Sequence, residues 1–362
     1  MNQTILMKHN RKIRKNRPLI PDENLCEIFQ TETLLEVSLS RGRCSNDARG
    51  ACIMCDYGAA GKNQDISYYI REMKNALDNC NARTNCLMIC TNGSIFDENQ
   101  IDSQLLEQAI DLAAQCKIPH IEFETHYKDV TREKLHLLQK SLPNKKIIIA
   151  LGLETLNQTY QDYIILKNID LEKFKDTITL IKEYDFQIEL NIMLGIPFLS
   201  TYEQFEDTCR SLRWAFQNQC RPVLFPMNIK PYTLLMEMYK TGYYEPISHW
   251  LLLLVLNTLT EDQLSQIVIT WYGNRLEDYG SAELHPILPI CCEKCRSALE
   301  KFYNNFTASD SGRERKRILN TTLAIHKCNC KDNIERKIKD KHTPGFNVRY
   351  IDYLSYLSRI DK

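Results

Sequence analysis

The sequence lacks an excess of charge of either sign. Among its 362 residues, 46 are lysine or arginine and 46 are aspartate or glutamate. The net charge therefore does not require a nucleic acid or an anionic membrane as partner, although a local basic patch on a neutral protein can still bind RNA.

Long hydrophobic runs are also absent. The longest, WLLLLVL at 250–256, is far shorter than the roughly 20 residues that a membrane-spanning helix needs, and a buried helix explains it better. The first residues become basic (KHNRKIRKNR, 8–17) with no apolar segment after them, so no secretory signal is predicted. We therefore expect a cytoplasmic protein without a membrane partner.

Cysteine, in contrast, is abundant, with 15 residues. In a reducing cytoplasm, clustered cysteines bind metals more often than they form disulfides. Seven of them are isolated in sequence and are interpreted as ordinary core or surface thiols. The other eight fall into two groups, at 44–55 and 291–330.

Apolar, β-rich runs alternate with helix-like stretches up to about residue 235. The predicted strands are EVSLS (36–40), CLMIC (86–90), HIEFE (120–124), KIIIAL (146–151), IELNIML (188–194) and PVLFPM (222–227). Helical spacing is clearest at 104–117 and 171–184. Six β/α units indicate an α/β fold with a parallel sheet, either open and doubly wound or a partial barrel, that binds ligands at the carboxyl ends of its strands.

Beyond that point the sequence becomes helical, notably at 249–267. We predict a basic N-terminal arm (1–34), an α/β domain (35–235) and a mostly helical C-terminal extension (236–362). The run at 8–17 is interpreted as a solvated tail in preference to a phosphate-binding arm. The stretch 337–359 mixes basic and aromatic residues as RNA-binding surfaces do, and it equally fits a packed amphipathic helix.

The first cysteine group, Cys44, Cys52 and Cys55, follows the first predicted strand in the spacing Cys-x7-Cys-x2-Cys. Thiolates suit zinc or iron–sulfur clusters. A structural zinc site would need a distant fourth ligand, whereas an iron–sulfur cube held by three cysteines leaves one iron open. The spacing alone leaves both alternatives open.

The loop RGRCSNDARGACIMCDYG (41–58) resembles that of the radical S-adenosylmethionine (SAM) superfamily, and specifically its archaeosine-forming branch, which is related to the elongator catalytic subunit. Arg43, directly before Cys44, is a small departure. The resemblance covers roughly residues 35–335 and implies a partial (β/α)6 TIM-type barrel. It also implies a [4Fe–4S] cluster on the three thiolates, with SAM on the open iron, and a 5′-deoxyadenosyl radical that removes hydrogen from a substrate.

The same resemblance assigns residues to SAM. TNGSIFDE (91–98) matches the segment whose backbone receives the SAM amino group, and FETHYKDVT (123–131) and IALGLET (149–155) match two later strand ends. His126 and Tyr127 replace an arginine and a proline of the branch. The implied SAM-contacting residues are Met54, Tyr57, Asn92, Gly93, Ser94, Glu124 and Glu154.

The second group contains two close cysteine pairs, Cys292-x2-Cys295 and Cys328-x-Cys330. Four thiolates can close a tetrahedral zinc site or hold an auxiliary iron–sulfur cluster. The archaeosine-forming branch has a similar arrangement. Cys291 is left over, and His285 is an alternative ligand.

For the reaction, the resemblance implies rearrangement or carbon–nitrogen cleavage of a lysine-derived substituent on a deazaguanine in tRNA. A one-electron donor of the flavodoxin or ferredoxin type is implied as partner. Two alternatives stay open. One is the same chemistry on a peptide or small metabolite, and the other is a non-enzymatic, cysteine-rich metal or redox-sensing protein.

Overall fold

The computed structural model describes residues 2–18, 25–40, 44–56, 65–270, 285–325 and 328–360. Its strands are β1 (Cys26–Gln30), β2 (Leu34–Leu39), β3 (Cys86–Cys90), β4 (His120–Thr125), β5 (Lys146–Glu154), β6 (Gln187–Leu194), β7 (Arg221–Pro226) and β8 (Val268–Ile269). Tyr57, one of the implied SAM contacts, lies outside the described residues.

Along the chain, the helices of the described part lie before, between and after these strands. They are α1 (Asn2–Arg14), α2 (Ser45–Arg49), α3 (Ile66–Asp78), α4 (Ser103–Gln115), α5 (Arg132–Ser141), α6 (Gln158–Tyr160), α7 (Leu171–Lys182), α8 (Thr201–Gln217), α9 (Leu234–Lys240), α10 (His249–Asn257), α11 (Glu261–Gln266), α12 (Glu293–Thr307), α13 (Gly312–Leu323), α14 (Cys330–Lys339) and α15 (Phe346–Ile360).

The eight strands form one sheet in the order in which they follow one another in the chain. β2 to β5 pair in parallel, with Val37 opposite Ile89, Ile89 opposite Phe123, and Phe123 opposite Ile149. β7 and β8 are also parallel. The prediction of an α/β fold of the partial-barrel type is confirmed.

Helices cover the sheet because their apolar residues share one face. In α4, Leu105, Leu106, Ala109 and Ile110 are buried, which is the three- and four-residue spacing of a helix with one face toward a core. Asp102 caps this helix by accepting a hydrogen bond from the backbone N–H of Gln104 at 2.8 Å. The predicted helix 104–117 therefore corresponds to α4.

Three elements differ from the sequence-based expectation. β1, within the predicted arm, pairs antiparallel with β2, and only the first of its five residues is buried, so it shows no apolar run. The stretch 249–267, expected to be helical, is divided into two helices, because Thr260 and Gln263 form a capping box that begins α11. β8, only two residues long, follows α11.

The chain folds as two compact units. One contains residues 1–10, 153–166 and 190–362, and the other contains residues 11–152 and 167–189. The domain boundaries after residues 34 and 235 stay a prediction. In the part of the chain that the structure describes, no helix combines the length and the apolar character needed to cross a membrane.

A single carboxylate, that of Glu203, joins the beginnings of α8 and α15. It accepts from the backbone N–H of Ser200 at 2.8 Å, which completes a capping box at α8. It also accepts from the backbone N–H of Phe346, the first residue of α15, at 3.0 Å. A negative charge at two helix N-termini satisfies amide groups that have no partner within their own helix.

We predict that Glu203→Ala lowers the free energy of unfolding by about 1–3 kcal/mol, because it leaves amide donors of two helices without their acceptor. Urea denaturation measures this change. Glu206→Ala is the matched control, since Glu206 is an exposed carboxylate on the same helix, and it should change stability by less than about 0.5 kcal/mol. Equal losses in the two variants would contradict the shared-cap interpretation.

Candidate functional site

The first cysteine group lies in the segment between β2 and α3. Cys44 precedes α2, whose end is marked by Gly50 in the left-handed conformation with φ of 82°. Cys52 also has a positive φ of 52°, and the backbone N–H of Cys55 donates to the carbonyl of Cys52 at 2.9 Å. The chain therefore turns twice within a few residues and brings the cysteines back toward each other.

The thiols of Cys44 and Cys55 both influence the thiol of Cys52 electrostatically. Burial is the main cause that raises the pKa of the Cys52 thiol, and the nearby Cys55 and Cys44 thiols raise it further. Lys167 and Arg14 act in the opposite direction, because their positive charges favour the thiolate. The group thus combines three thiols with cationic side chains.

Gly93 allows the chain after β3 to approach Cys44 closely. A Cβ atom at this position would lie 3.0 Å from Sγ of Cys44 and 2.9 Å from Cδ of Gln100, so a larger residue would displace one of them. Gln100 is held in place because its Oε1 accepts from the backbone N–H of Ser94 at 3.1 Å. The structure thus brings Gly93 and Cys44 together.

Ser94 connects this segment to the carboxyl end of β4. Its hydroxyl hydrogen-bonds to that of Thr125 at 2.7 Å and accepts from the backbone N–H of His126 at 3.0 Å. The backbone N–H of Ile95 donates to the carbonyl of Glu124 at 3.1 Å. The ends of β3 and β4 are therefore fixed relative to each other, with Glu124 half-buried at that edge.

Two further implied SAM contacts in this unit are at least partly buried. Met54 is 6% exposed. The side-chain nitrogen of Asn92 is buried without a hydrogen-bond partner among the described residues. A buried amide donor without a partner is costly, and a ligand acceptor would relieve that cost.

Glu154, the last residue of β5, is held in an unusual conformation. Its φ is 63°, in the left-handed region that non-glycine residues rarely adopt, and its side chain is buried. The side-chain amide of Gln161 donates to the carbonyls on both sides, those of Leu153 at 2.5 Å and Thr155 at 2.7 Å. Strained residues that are fixed by their neighbours are common at functional sites.

A basic group around His126 was not anticipated from the sequence, although the position stood out as a departure from the family pattern. Burial lowers the pKa of His126 to about 3, and the positive charges of Lys167, Lys128 and Arg49 add to this effect. Its Nε2 atom is buried without a hydrogen-bond partner in the described part of the chain. The imidazole is therefore neutral at physiological pH.

The four cysteines of the second group converge. Sγ of Cys328 lies 3.4 Å from Sγ of Cys292 and 3.2 Å from Sγ of Cys295. The sulfur atoms of Cys292, Cys295, Cys328 and Cys330 all lie within 4.8 Å of one another. In the described residues this is the only set of potential metal ligands so compact, and it includes neither Cys291 nor His285.

Two helix N-termini create this arrangement. Cys292 and Cys295 lie at the start of α12, and the backbone N–H of Cys295 donates to the carbonyl of Cys292 at 3.0 Å. Cys330 is the first residue of α14, and its backbone N–H donates to Sγ of Cys328 at 3.3 Å. The positive end of a helix dipole favours thiolates.

The local environment splits the pKa values of these thiols. Hydrogen bonding with Cys328 lowers the pKa of Cys292 to about 7, whereas burial is the main cause that raises the pKa of Cys295 to about 12. The buried Trp250, which is 1% exposed, partly opposes this rise in pKa. Four thiols so close cannot all ionise unless a cation neutralises them.

The family comparison matches the first cysteine group. The model described as the Radical SAM superfamily matches residues 42–212, a little under half of the chain, including Cys44, Cys52 and Cys55. The chain therefore carries a radical SAM domain, and that domain indicates an enzyme. The predicted resemblance is confirmed, and the alternative of a non-enzymatic metal or redox-sensing protein is set aside.

Among characterised relatives, the chain is similar to archaeosine synthase subunit beta of Methanosarcina acetivorans, with 25% identity over 231 residues, 63% of this chain and 66% of that protein. It is 23% identical over 168 residues to archaeosine synthase subunit beta of Thermococcus kodakarensis, 45% of this chain and 52% of that protein. These matches thus span about two thirds and about half of the relatives' own lengths.

A crystal structure of methylornithine synthase is also similar. Its TM-score is 0.47 with 16% sequence identity, and the match covers 74% of this chain and 70% of that chain.

We predict that His126 makes stability depend on pH. Its folded pKa of about 3 lies below the ordinary value of 6.5, so the unfolded chain binds a proton that the folded chain does not. Its contribution to stability is therefore complete above pH 6.5 and is lost as the pH falls toward 3.

His126→Gln should reduce the slope of stability against pH, measured by chemical denaturation between pH 7 and 5, by up to about 1.4 kcal/mol per pH unit. His136→Gln, at an exposed histidine of α5, serves as control. Identical slopes for the wild type and His126→Gln would contradict the prediction.

Proposed function

We propose that Cys44, Cys52 and Cys55 hold a [4Fe–4S] cluster at which this enzyme binds SAM. The main support is the radical SAM family model, whose match at residues 42–212 includes all three cysteines. The buried Cys52 thiol is also influenced by the other two thiols and by two cations. These three residues are not as compact as the second group, which suits a cube that gives each thiolate a different iron. When bound, the cluster supplies the electron that breaks the sulfur–C5′ bond of SAM.

For SAM itself we propose a site at the carboxyl ends of β3 and β4. The backbone at Gly93 can approach a ligand because no side chain intervenes, and the buried amide of Asn92 offers a donor. Glu124 supplies a carboxylate for ribose hydroxyls or the ammonium group. For Glu154, at the end of β5 in the other compact unit, the resemblance to the family alone supports a role in binding SAM. Met54, Ser94 and Tyr57 complete the proposed set, with Ser94 acting through its bonds to the end of β4.

We predict that Cys44→Ala, Cys52→Ala and Cys55→Ala each abolish reductive SAM cleavage, because an iron of the cluster then lacks its thiolate. The measurement is 5′-deoxyadenosine formation after anaerobic reconstitution and reduction, together with iron and sulfide content. Cys80→Ala removes a thiol outside both groups and should behave as wild type. A variant of the trio that keeps full cleavage would remove that cysteine from the ligand set.

We further propose that the four C-terminal cysteines bind a single zinc ion. With Zn–S bonds of about 2.3 Å, the sulfurs of a tetrahedral site lie about 3.8 Å apart. The observed limit of 4.8 Å is close to that value. An iron–sulfur cube would need a wider arrangement, because its four thiolates bind four separate irons.

We predict that Cys292→Ser or Cys330→Ser lowers zinc content from about one ion per chain and lowers thermal stability, because the energy of metal binding is also folding energy. Cys291→Ser is a closely matched control, since it changes the residue next to Cys292 without touching the group of four. Iron and sulfide at this site in the wild type would favour the auxiliary cluster. Unchanged metal and stability in both variants would exclude the site.

The substrate that we propose is tRNA, with a lysine-modified deazaguanine nucleoside as the target of hydrogen abstraction and of carbon–nitrogen cleavage or rearrangement. The named relatives support an archaeosine-related role. A structural feature of this chain agrees with it. α14 starts at Cys330, and its exposed basic residues continue into the following segment. They are Arg336, Lys337, Lys339, Lys341 and Arg349.

The exposed basic residues of α14 lie directly after Cys328 and Cys330 of the second cysteine group. A metal on Cys328 and Cys330 would fix the start of α14, which also packs against α8 and α10. A rigid helix holds its cations in a constant arrangement for phosphate binding. We propose that the enzyme works in the cytoplasm with a one-electron donor of the flavodoxin or ferredoxin type, and with a partner subunit as the relatives' names suggest.

We predict that tRNA binds at low ionic strength and dissociates progressively as salt rises, because several phosphates are neutralised. The combined variant Arg336→Gln, Lys337→Gln, Lys339→Gln should weaken binding at least tenfold in a filter or mobility-shift assay and should reduce the salt dependence. A control with three exposed lysines elsewhere replaced (Lys74, Lys140 and Lys182) should bind nearly as the wild type does.

The same experiment decides between tRNA and the alternative substrates. Binding that is absent at low salt, or insensitive to salt, would favour a peptide or small metabolite. So would SAM cleavage that couples more tightly to product with a free peptide than with modified tRNA.

A further inference from the structure

The end of the N-terminal helix α1 is inserted into the cysteine segment. Arg14 is 5% exposed, although it belongs to a run of basic residues that the sequence marks as a solvated tail. That interpretation is wrong for Arg14 and for Arg17, whose side chain is only 7% exposed. Arg11 and Lys12 of the same run do face solvent.

Arg14 donates to four backbone carbonyls of this segment. The distances are 2.9 Å to Asp47, 2.8 Å to Ala51, 2.8 Å to Cys52 and 3.0 Å to Cys55. Two of these carbonyls belong to candidate cluster ligands. The carbonyls of Asp47 and Cys52 also accept from the backbone N–H groups of Gly50 and Cys55, so the guanidinium of Arg14 uses a second lone pair on these oxygens.

A shared carboxylate fixes both arginines. Asp47, which is 6% exposed, accepts from Arg17 at 2.8 Å and lies 3.1 Å from Nε of Arg14. Arg17 also donates to the carbonyl of Asp56 at 3.0 Å. Two guanidinium groups thus share one carboxylate, which leaves a net positive charge beside the cysteines.

We propose that Arg14 and Arg17 are positioning residues of the cluster site, with two separable effects. The fork of Arg14 holds the segment 44–56 in the shape that presents its thiols. The net positive charge of Arg14, Arg17 and Asp47 raises the midpoint potential of the bound cluster, because a nearby cation stabilises the more negative, reduced form. This inference rests on the proposed cluster at Cys44, Cys52 and Cys55.

Four variants separate the two effects. Arg14→Gln removes fork and charge, Arg14→Lys keeps the charge but loses the planar fork, Arg17→Gln removes charge from the ion pair, and Asp47→Asn removes the opposing carboxylate. Each is purified anaerobically and reconstituted. The readouts are iron and sulfide per chain and the midpoint potential from a spectroscopic redox titration.

We expect Arg14→Gln to lose most of its iron and to lower the potential of the cluster that remains. Arg14→Lys should also lose iron but retain a potential near that of the wild type. Arg17→Gln should lower the potential, and Asp47→Asn should raise it. General damage to the fold would shift the midpoint potential in the same direction in both variants. Opposite shifts in Arg17→Gln and Asp47→Asn would therefore show an effect of charge.

Arg11→Gln is the matched control, because it removes an exposed cation from the same helix. It should leave iron content and potential unchanged. A shift in Arg11→Gln as large as that in Arg17→Gln, or wild-type iron and potential in both Arg14→Gln and Arg17→Gln, would overturn the proposal.

Hydrogen exchange of residues 44–56 in the metal-free protein separates failure of this inference from failure of the proposed function. Arg14→Gln should speed exchange of this segment at least tenfold, with little change in α4 or α7. A wild-type protein that takes up no iron would contradict the proposed cluster. Unchanged exchange in Arg14→Gln would contradict the role of the arginine fork.

Discussion

The candidate cluster site depends on the hydrogen bonds that Arg14 donates to backbone carbonyls of the cysteine segment. A segment that turns at Gly50 and Cys52 has carbonyl groups pointing inward, and each would be costly if it were buried without a donor. Arg14 supplies donors to four of them from one planar group. The same charge lowers the pKa of Cys52 against the larger effect of burial. One side chain, that of Arg14, therefore both donates hydrogen bonds to the backbone carbonyls of this segment and lowers the pKa of the Cys52 thiol.

The second cysteine group has a different geometry from the first, because helix N-termini bring its thiols together. Its thiols lie at the first turns of α12 and α14, where two helix N-termini stabilise negative charge and bring the sulfurs within the reach of one ion. The first group has three thiols and a wider spacing. Each arrangement thus suits its own proposed occupant. A metal bound at the C-terminal site would also fix the start of the basic helix α14.

Much of the fold could be predicted from sequence because its inner strands are continuous apolar runs. β3 is an example, with the predicted bounds 86–90 and the observed bounds Cys86–Cys90. β1 could not be predicted this way, since an edge strand with one buried residue has no apolar run. The cysteine groups were recognisable by spacing. Arg14 was not, because its partners lie 33 to 41 residues away and leave no local pattern.

The equal numbers of acidic and basic residues in this chain do not show which cations are buried and bind backbone carbonyls and which are exposed. Arg14 serves the cysteine segment, and Arg315, also buried, donates to the carbonyls of Leu264 and Ile267 at 2.7 and 2.9 Å. Arg14 is buried in these contacts and is therefore not part of a surface that could bind tRNA phosphates. Deleting residues 1–17 would remove exposed cations and the arginine fork together, so weakened RNA binding could not be separated from loss of the cluster site. Substitutions confined to α14 avoid this, because they leave every contact of Arg14 intact.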